Sequence, residues 1–134
     1  RFRTNAVLLM AQARYYRGDY DIAIENLKEI EPNGNRKLYE DSQYWIAVCK
    51  WRKGNSEVAK IELLDLIAST DSKNIKSISH LSLAEINKEL KNNEKVIHHL
   101  EQAAKFSIDR NRTSAVGRIM ATWISNISYK YFQN

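Results

Sequence analysis

The segments 10-MAQARYYRGDYDIAIENL-27 and 46-IAVCKWRKGNSEVAKIELL-64 are two versions of one pattern. Each runs from an apolar–Ala pair through an aromatic and a basic residue to Gly, then Asp or Asn, then an Ala five residues past the Gly. Setting Gly18 against Gly54 aligns Met10 with Ile46, Ala11 with Ala47, Tyr15 with Trp51, Ala23 with Ala59, and Leu27 with Leu63. A third copy, 83-LAEINKELKNNEKVIHHLEQAAKF-106, fits with Lys91 at the glycine position and places Leu83, Ala84, Val96 and Leu100 in register. The spacings are 36 and 37 residues. Self-similarity at such a period marks an array of supersecondary units that bury their apolar faces against one another.

Each unit reads as two antiparallel helices. The first copy predicts helices over 5–17 and 20–30, with Ala23, Leu27 and Ile30 on one stripe at helical spacing. Small Ala11 falls where a neighbouring helix comes close. Gly18 suits a tight turn because it tolerates positive φ after a helix. Asp19 is placed to cap the next helix, Asp21 favours its positive end, and Pro32 and Asn33 close the unit. The second copy predicts helices over 37–53 and 56–69 with Asn55 as cap. The third predicts 73–90 and 94–106 with Asn93 as cap. A last helix, about 113–131, begins a fourth unit or seals the stack. The units therefore span about 4–33, 37–70 and 73–106 of a single all-α domain.

Composition agrees with long regular elements and short joins, since 134 residues include one Pro and four Gly. No stretch approaches 18 apolar residues, so no membrane span is expected. The chain opens on Arg1 rather than Met, which reads as a fragment or a processed form. The net charge of +5 is uneven: residues 1–67 hold 11 Lys/Arg against 10 Asp/Glu, and residues 68–134 hold 10 against 6. That mild surplus argues for scattered solvated lysines over a nucleic-acid surface.

No catalytic constellation is visible. There is no Gly-rich phosphate loop, no G-x-S-x-G and no H-E-x-x-H. His98 and His99 are adjacent, so on a helix they point about 100° apart, which argues against a shared metal; His80 lies on another helix. The single Cys49 sits beside a small helix position, as a buried structural thiol does. Neither an enzyme nor a resident cofactor or metal is expected.

The apolar–Ala pairs Met10–Ala11 and Ile46–Ala47, the Gly18–Asp19 and Gly54–Asn55 turns, Ala23, Ala59 and Pro32 resemble the tetratricopeptide repeat. The resemblance covers nearly the whole chain. It departs from the family where an aromatic is expected four residues before the turn, which is Arg14, Lys50 and Asn87 here; Tyr15 or Trp51, one residue later, is the nearest substitute. The stretch 43-QYWIAVCKWRKGNSEVAK-60 is similar to arrays in bacterial envelope and outer-membrane-assembly proteins. The compartment stays open between that envelope and the cytoplasm.

The family implies a right-handed α-solenoid of antiparallel helix pairs whose first helices line a concave groove for a protein segment or peptide. The groove residues carried over are Gln12, Tyr15, Tyr16, Tyr44, Val48, Trp51, Arg52 and Lys88. Tyr15 and Trp51 hold the same place in consecutive units, either as side-by-side groove anchors or as replacements for the missing core aromatic. Arg14, Arg17, Lys50, Arg52 and Lys53 flank them as a rim for carboxylates or phosphates. The family's carboxylate clamp is missing, since its places hold Leu8, Gln12, Trp45, Ile78 and Ser82. In the last helix, Ile119, Trp123, Ile127 and Tyr131 share an apolar stripe suited to a plain cap, a following helix or self-association. The expected function is a scaffold or adaptor for another protein; the alternative is the peptide-sensing module of a regulator.

Overall fold

The computed structural model describes residues 2–107 and 117–118. Among residues 2–107, six α-helices follow one another: α1 (Phe2–Arg17), α2 (Tyr20–Lys28), α3 (Arg36–Arg52), α4 (Ser56–Ser69), α5 (Lys73–Glu89) and α6 (Asn93–Phe106). Among the described residues there is no strand, and the chain is all-α. The chain divides into two compact units, residues 1–71 and 72–134, and the boundary in sequence falls between the second repeated segment and the third. Of the helix expected over 113–131 only residues 117–118 are described, and both are helical; the rest lies outside the described residues.

The repeat is written most plainly in three identical corners. At the first, Gly18 N–H donates to Tyr15 O at 3.0 Å and Asp19 N–H to Arg14 O at 2.9 Å. At the second, Gly54 donates to Trp51 O and Asn55 to Lys50 O, each at 2.9 Å. At the third, Lys91 donates to Lys88 O at 3.1 Å and Asn92 to Asn87 O at 2.9 Å. This is the Schellman ending, which satisfies the last carbonyls of a helix through a left-handed residue. Its φ is +89° at Gly18, +104° at Gly54 and +61° at Lys91, so the lysine aligned with the glycines adopts the glycine conformation.

Each corner then starts the second helix of its pair. Asp19, Asn55 and Asn92 occupy the N-cap, and their carbonyls accept from Ala23, Ala59 and Val96. The third cap is therefore Asn92, one residue before the expected Asn93, because the corner's geometry fixes which residue follows the left-handed one. Its side chain accepts from Lys95 N at 3.5 Å. Asp19 and Asn55 make no side-chain cap bond; the Asp19 carboxylate sits 3.7 Å from Arg17 Nε instead. The first helices are capped in the ordinary way, with Asn35 accepting from Leu38 N and Ser72 from Ile75 N, both at 3.2 Å. The second helix of the first pair stops at Lys28, short of the expected residue 30. Its end tightens into Glu29→Asn26 and Ile30→Leu27 backbone bonds, which keep Ile30 buried.

Three columns of residues fill the hairpins in register. Ala11, Ala47 and Ala84, seven residues before each corner, are each 1% exposed. Ala23, Ala59 and Val96, five residues after it, and Leu27, Leu63 and Leu100, nine after it, are at 0–1%. The expected burial of Ala11, Ala23, Ala47 and Ala59 is borne out. In the first unit α1 packs on α2, α2 on α3, α3 on α4, and α1 also touches α3. Their shared core joins Ala11, Ala23, Ile24, Leu27, Leu38, Ile46 and Cys49. In the second unit α5 packs on α6 around Ala84, Val96, Leu100 and Ala103. Met10 breaks the pattern: it is aligned with buried Ile46 and Leu83 yet is 52% exposed.

Candidate protein-binding face on the first unit

The most conspicuous surface of the first unit is a run of five touching aromatic rings on α1, α2 and α3. Tyr15 meets Tyr16 edge-on at 5.0 Å between centroids and Tyr20 at 5.7 Å. It also meets Trp45 edge-on at 5.2 Å. Trp45 continues the run to Tyr16 at 6.3 Å and to Tyr44 at 5.7 Å. Edge-to-face pairs at these distances are the favoured aromatic geometry, so the run is a stiff platform rather than a set of loose side chains. Tyr16 is its open end, with 76% of its surface in solvent, while Tyr15, Tyr44 and Trp45 are half-buried over the core.

Arg52 closes one side. Its Nε donates to Tyr15 Oη at 3.2 Å, and its guanidinium carbon lies 4.0 Å from the centre of the Trp51 ring. A cation over an indole face is a favourable arrangement that also fixes the side chain. Arg52 therefore links the rings of Tyr15 and Trp51, which the repeat alignment had placed side by side.

The expected groove residues divide. Tyr15, Tyr16, Tyr44 and Arg52 share this face, and Gln12, one turn before Tyr16 on α1, is half-buried. Val48 and Trp51 are buried at 4% and 6% exposure, so neither offers an open surface. This corrects their assignment to the groove: both are core residues, and the Trp51 indole carries Arg52 over its face. Lys88 is exposed but belongs to the second unit. Ile119, Trp123, Ile127 and Tyr131 lie outside the described residues. Trp45, which joins the two tyrosine pairs, was not among the expected face residues. Its adjacency to Tyr44 was the available signal; the crossing of α3 by the C-terminal end of α1 was not readable from spacing.

The basic rim is also corrected. Lys50 pairs with Glu62 on α4, Lys53 with Asp21 on α2, and Arg17 with Asp19. Carboxylates of the same unit thus already engage three of the five cations. Arg14 is half-buried, and its Nε has no hydrogen-bond partner among the described residues. Leu9 and Met10, further along α1, are exposed apolar side chains.

Other features offer less. A cleft of about 500 Å³ between α3 and α4 includes Tyr39, Glu40, Glu62 and Leu66 in its walls. Arg36 spans it, with Nη2 donating to Ser69 O at 3.2 Å and Nε 3.9 Å from Glu40. Cys49 is fully buried, and burial pushes its thiol up to about 11, which keeps it protonated and inert at neutral pH. Among the described residues no group of three or more His, Cys, Asp or Glu is arranged to hold a metal ion, and no helix is long and apolar enough to cross a membrane. Compared with protein-family models, curated proteins and solved structures, the chain finds no significant match.

Proposed function

We propose that this chain is a right-handed α-solenoid of the tetratricopeptide type, acting as a scaffold that holds a segment of another protein. The observation carrying this reading is the stiff aromatic run Tyr16–Tyr15–Trp45–Tyr44, set on two packed helices with its outer ring in solvent. Aromatic side chains supply large contact area at small entropic cost, which is why they dominate binding hot spots. The three matching Schellman corners and the three buried columns support the repeat part of the reading. Engagement of Arg17, Lys50 and Lys53 within the unit favours an apolar or aromatic-rich segment over a strongly acidic one.

A displayed-peptide selection against the immobilised chain tests this directly. Selected peptides are expected to carry aromatic or bulky apolar anchors and to lose about tenfold or more in affinity for Tyr16→Ala. The same variant is expected to move stability by little, about 0.5 kcal/mol, because Tyr16 is exposed. Peptides that bind Tyr16→Ala and the parent chain equally would place the binding face elsewhere.

A further inference from the structure

All three histidines of the chain come together at the α5–α6 hairpin. His80 on α5 and His99 on α6 are both buried, and their Nδ1 atoms are 2.9 Å apart. Their ring centres are 5.2 Å apart with planes 33° from parallel. His98 meets both edge-on, at 6.3 Å from His80 and 5.1 Å from His99. Phe106 stacks on His80 at 6.1 Å, its plane only 10° away. Close by in the same seam, Ser77 Oγ donates to Ala103 O at 2.7 Å, a second polar tie between the two helices.

Two Nδ1 atoms at hydrogen-bond distance need one N–H and one lone pair. One ring therefore carries its proton on Nδ1 and the other on Nε2. A first proton added at Nε2 of the donor ring leaves the bond in place. A second must land on the accepting Nδ1, where it abolishes the bond and sets two imidazolium rings against each other in a buried seam.

We infer that the His80–His99 pair is an acid-sensitive latch, which holds the α5–α6 hairpin closed at neutral pH and releases it when both rings are protonated. The charged surroundings work in the same direction. Lys76 faces the pair from α5 and His98 from α6, and the ammonium groups of Lys76 and Lys105 lie 5.3 and 5.4 Å from the centre of the Phe106 ring. Burial, then His98 and then Lys76 hold His80 down to about 4, below its ordinary 6.5. A histidine depressed on folding stabilises the fold above 6.5, and that contribution is lost as pH falls from 6.5 towards 4.

Two measurements on the full chain test the latch. In an NMR titration the His80 ring is expected to take its proton at least one pH unit below its ordinary 6.5. Amide exchange, corrected for the intrinsic rate at each pH, is expected to show protection over 73–106 falling on the order of tenfold between pH 7 and pH 5. Protection over α1–α4 is expected to hold across the same range. In the double variant His80→Asn/His99→Asn, whose amides bond at the Nδ1 place without titrating, the fall should disappear. A His80 midpoint at its ordinary 6.5 overturns the latch even if the double variant does not fold. Unchanged protection over 73–106, or a parallel loss in α1–α4 that signals general acid unfolding, also overturns it.

Discussion

Lys91 shows how a single residue can carry a repeat that its chemistry disguises. Its backbone takes φ +61° and makes both bonds of the corner, although a Cβ in that region costs about 1–2 kcal/mol. Gly18 and Gly54 meet the same requirement without that cost, and a Cβ added at either would find nothing within 4 Å. The demand at this position is therefore conformational and not steric. Lys91→Gly is expected to stabilise the protein by about 0.5–1 kcal/mol once glycine's greater freedom in the unfolded chain is subtracted. Gly54→Ala is expected to destabilise it by about 1 kcal/mol. Urea melts of the two variants check this, and shifts of the same sign would show that the third corner differs from the second. At Cys49 the reading is simpler: a fully buried thiol pushed up to about 11 has no nucleophilic role at neutral pH.

At the level of the helix pair, the sequence made the corners and the small–small contacts legible because they are local. Gly followed by Asp or Asn encodes the turn, and Ala seven before and five after it encodes the close approach; these positions are buried in all three copies. The face was only half legible, since it depends on how α1 crosses α3. Equivalent positions suggested Tyr15 beside Trp51, whereas the crossing brings Tyr15 onto Trp45 and turns Trp51 inward. The positions four before and eight after the corner hold Arg14 and Asn26, Lys50 and Glu62, Asn87 and His99. Lys50 and Glu62 pair across their hairpin, and Asn87 Nδ2 turns back to Leu83 O at 2.8 Å. With that seam polar, the large apolar ring moves one residue on, to buried Trp51. Trp51→Ala is accordingly expected to cost about 3–5 kcal/mol, the range for emptying a buried aromatic site. Ala47→Leu is expected to cost about 1–3 kcal/mol by overpacking its hairpin. Denaturant midpoints measure both; a Trp51→Ala chain as stable as the parent would return that residue to the surface.

Over the whole chain, the distribution of charge bears on whether the proposed partner is a protein segment or a nucleic acid. The +5 surplus comes mainly from residues 68–134, while residues 1–67 hold 11 Lys/Arg against 10 Asp/Glu and pair Arg17, Lys50 and Lys53 with carboxylates. In the second unit Lys73, Lys88, Lys91, Lys95 and Lys105 are exposed, but they are interleaved with Glu85, Glu89, Glu94 and Glu101 along α5 and α6. Neutralising a duplex takes a contiguous basic surface: 6–10 phosphate contacts make affinity fall by roughly 10³–10⁵ between 50 and 200 mM salt. A cluster that meets only one or two phosphates gives a shallow slope and weak, sequence-independent retention. Fluorescence anisotropy with a labelled duplex of about 20 base pairs is therefore expected to show no saturable binding below about 1 µM at 0.15 M salt. A peptide held by the Tyr16–Tyr15–Trp45–Tyr44 face should behave differently. Its affinity rests on apolar contact, which salt screens little, so it is expected to change by less than about threefold over the same range. Submicromolar duplex binding with a steep salt slope would reverse this assignment, and would locate the working surface of the molecule among the lysines of the second unit.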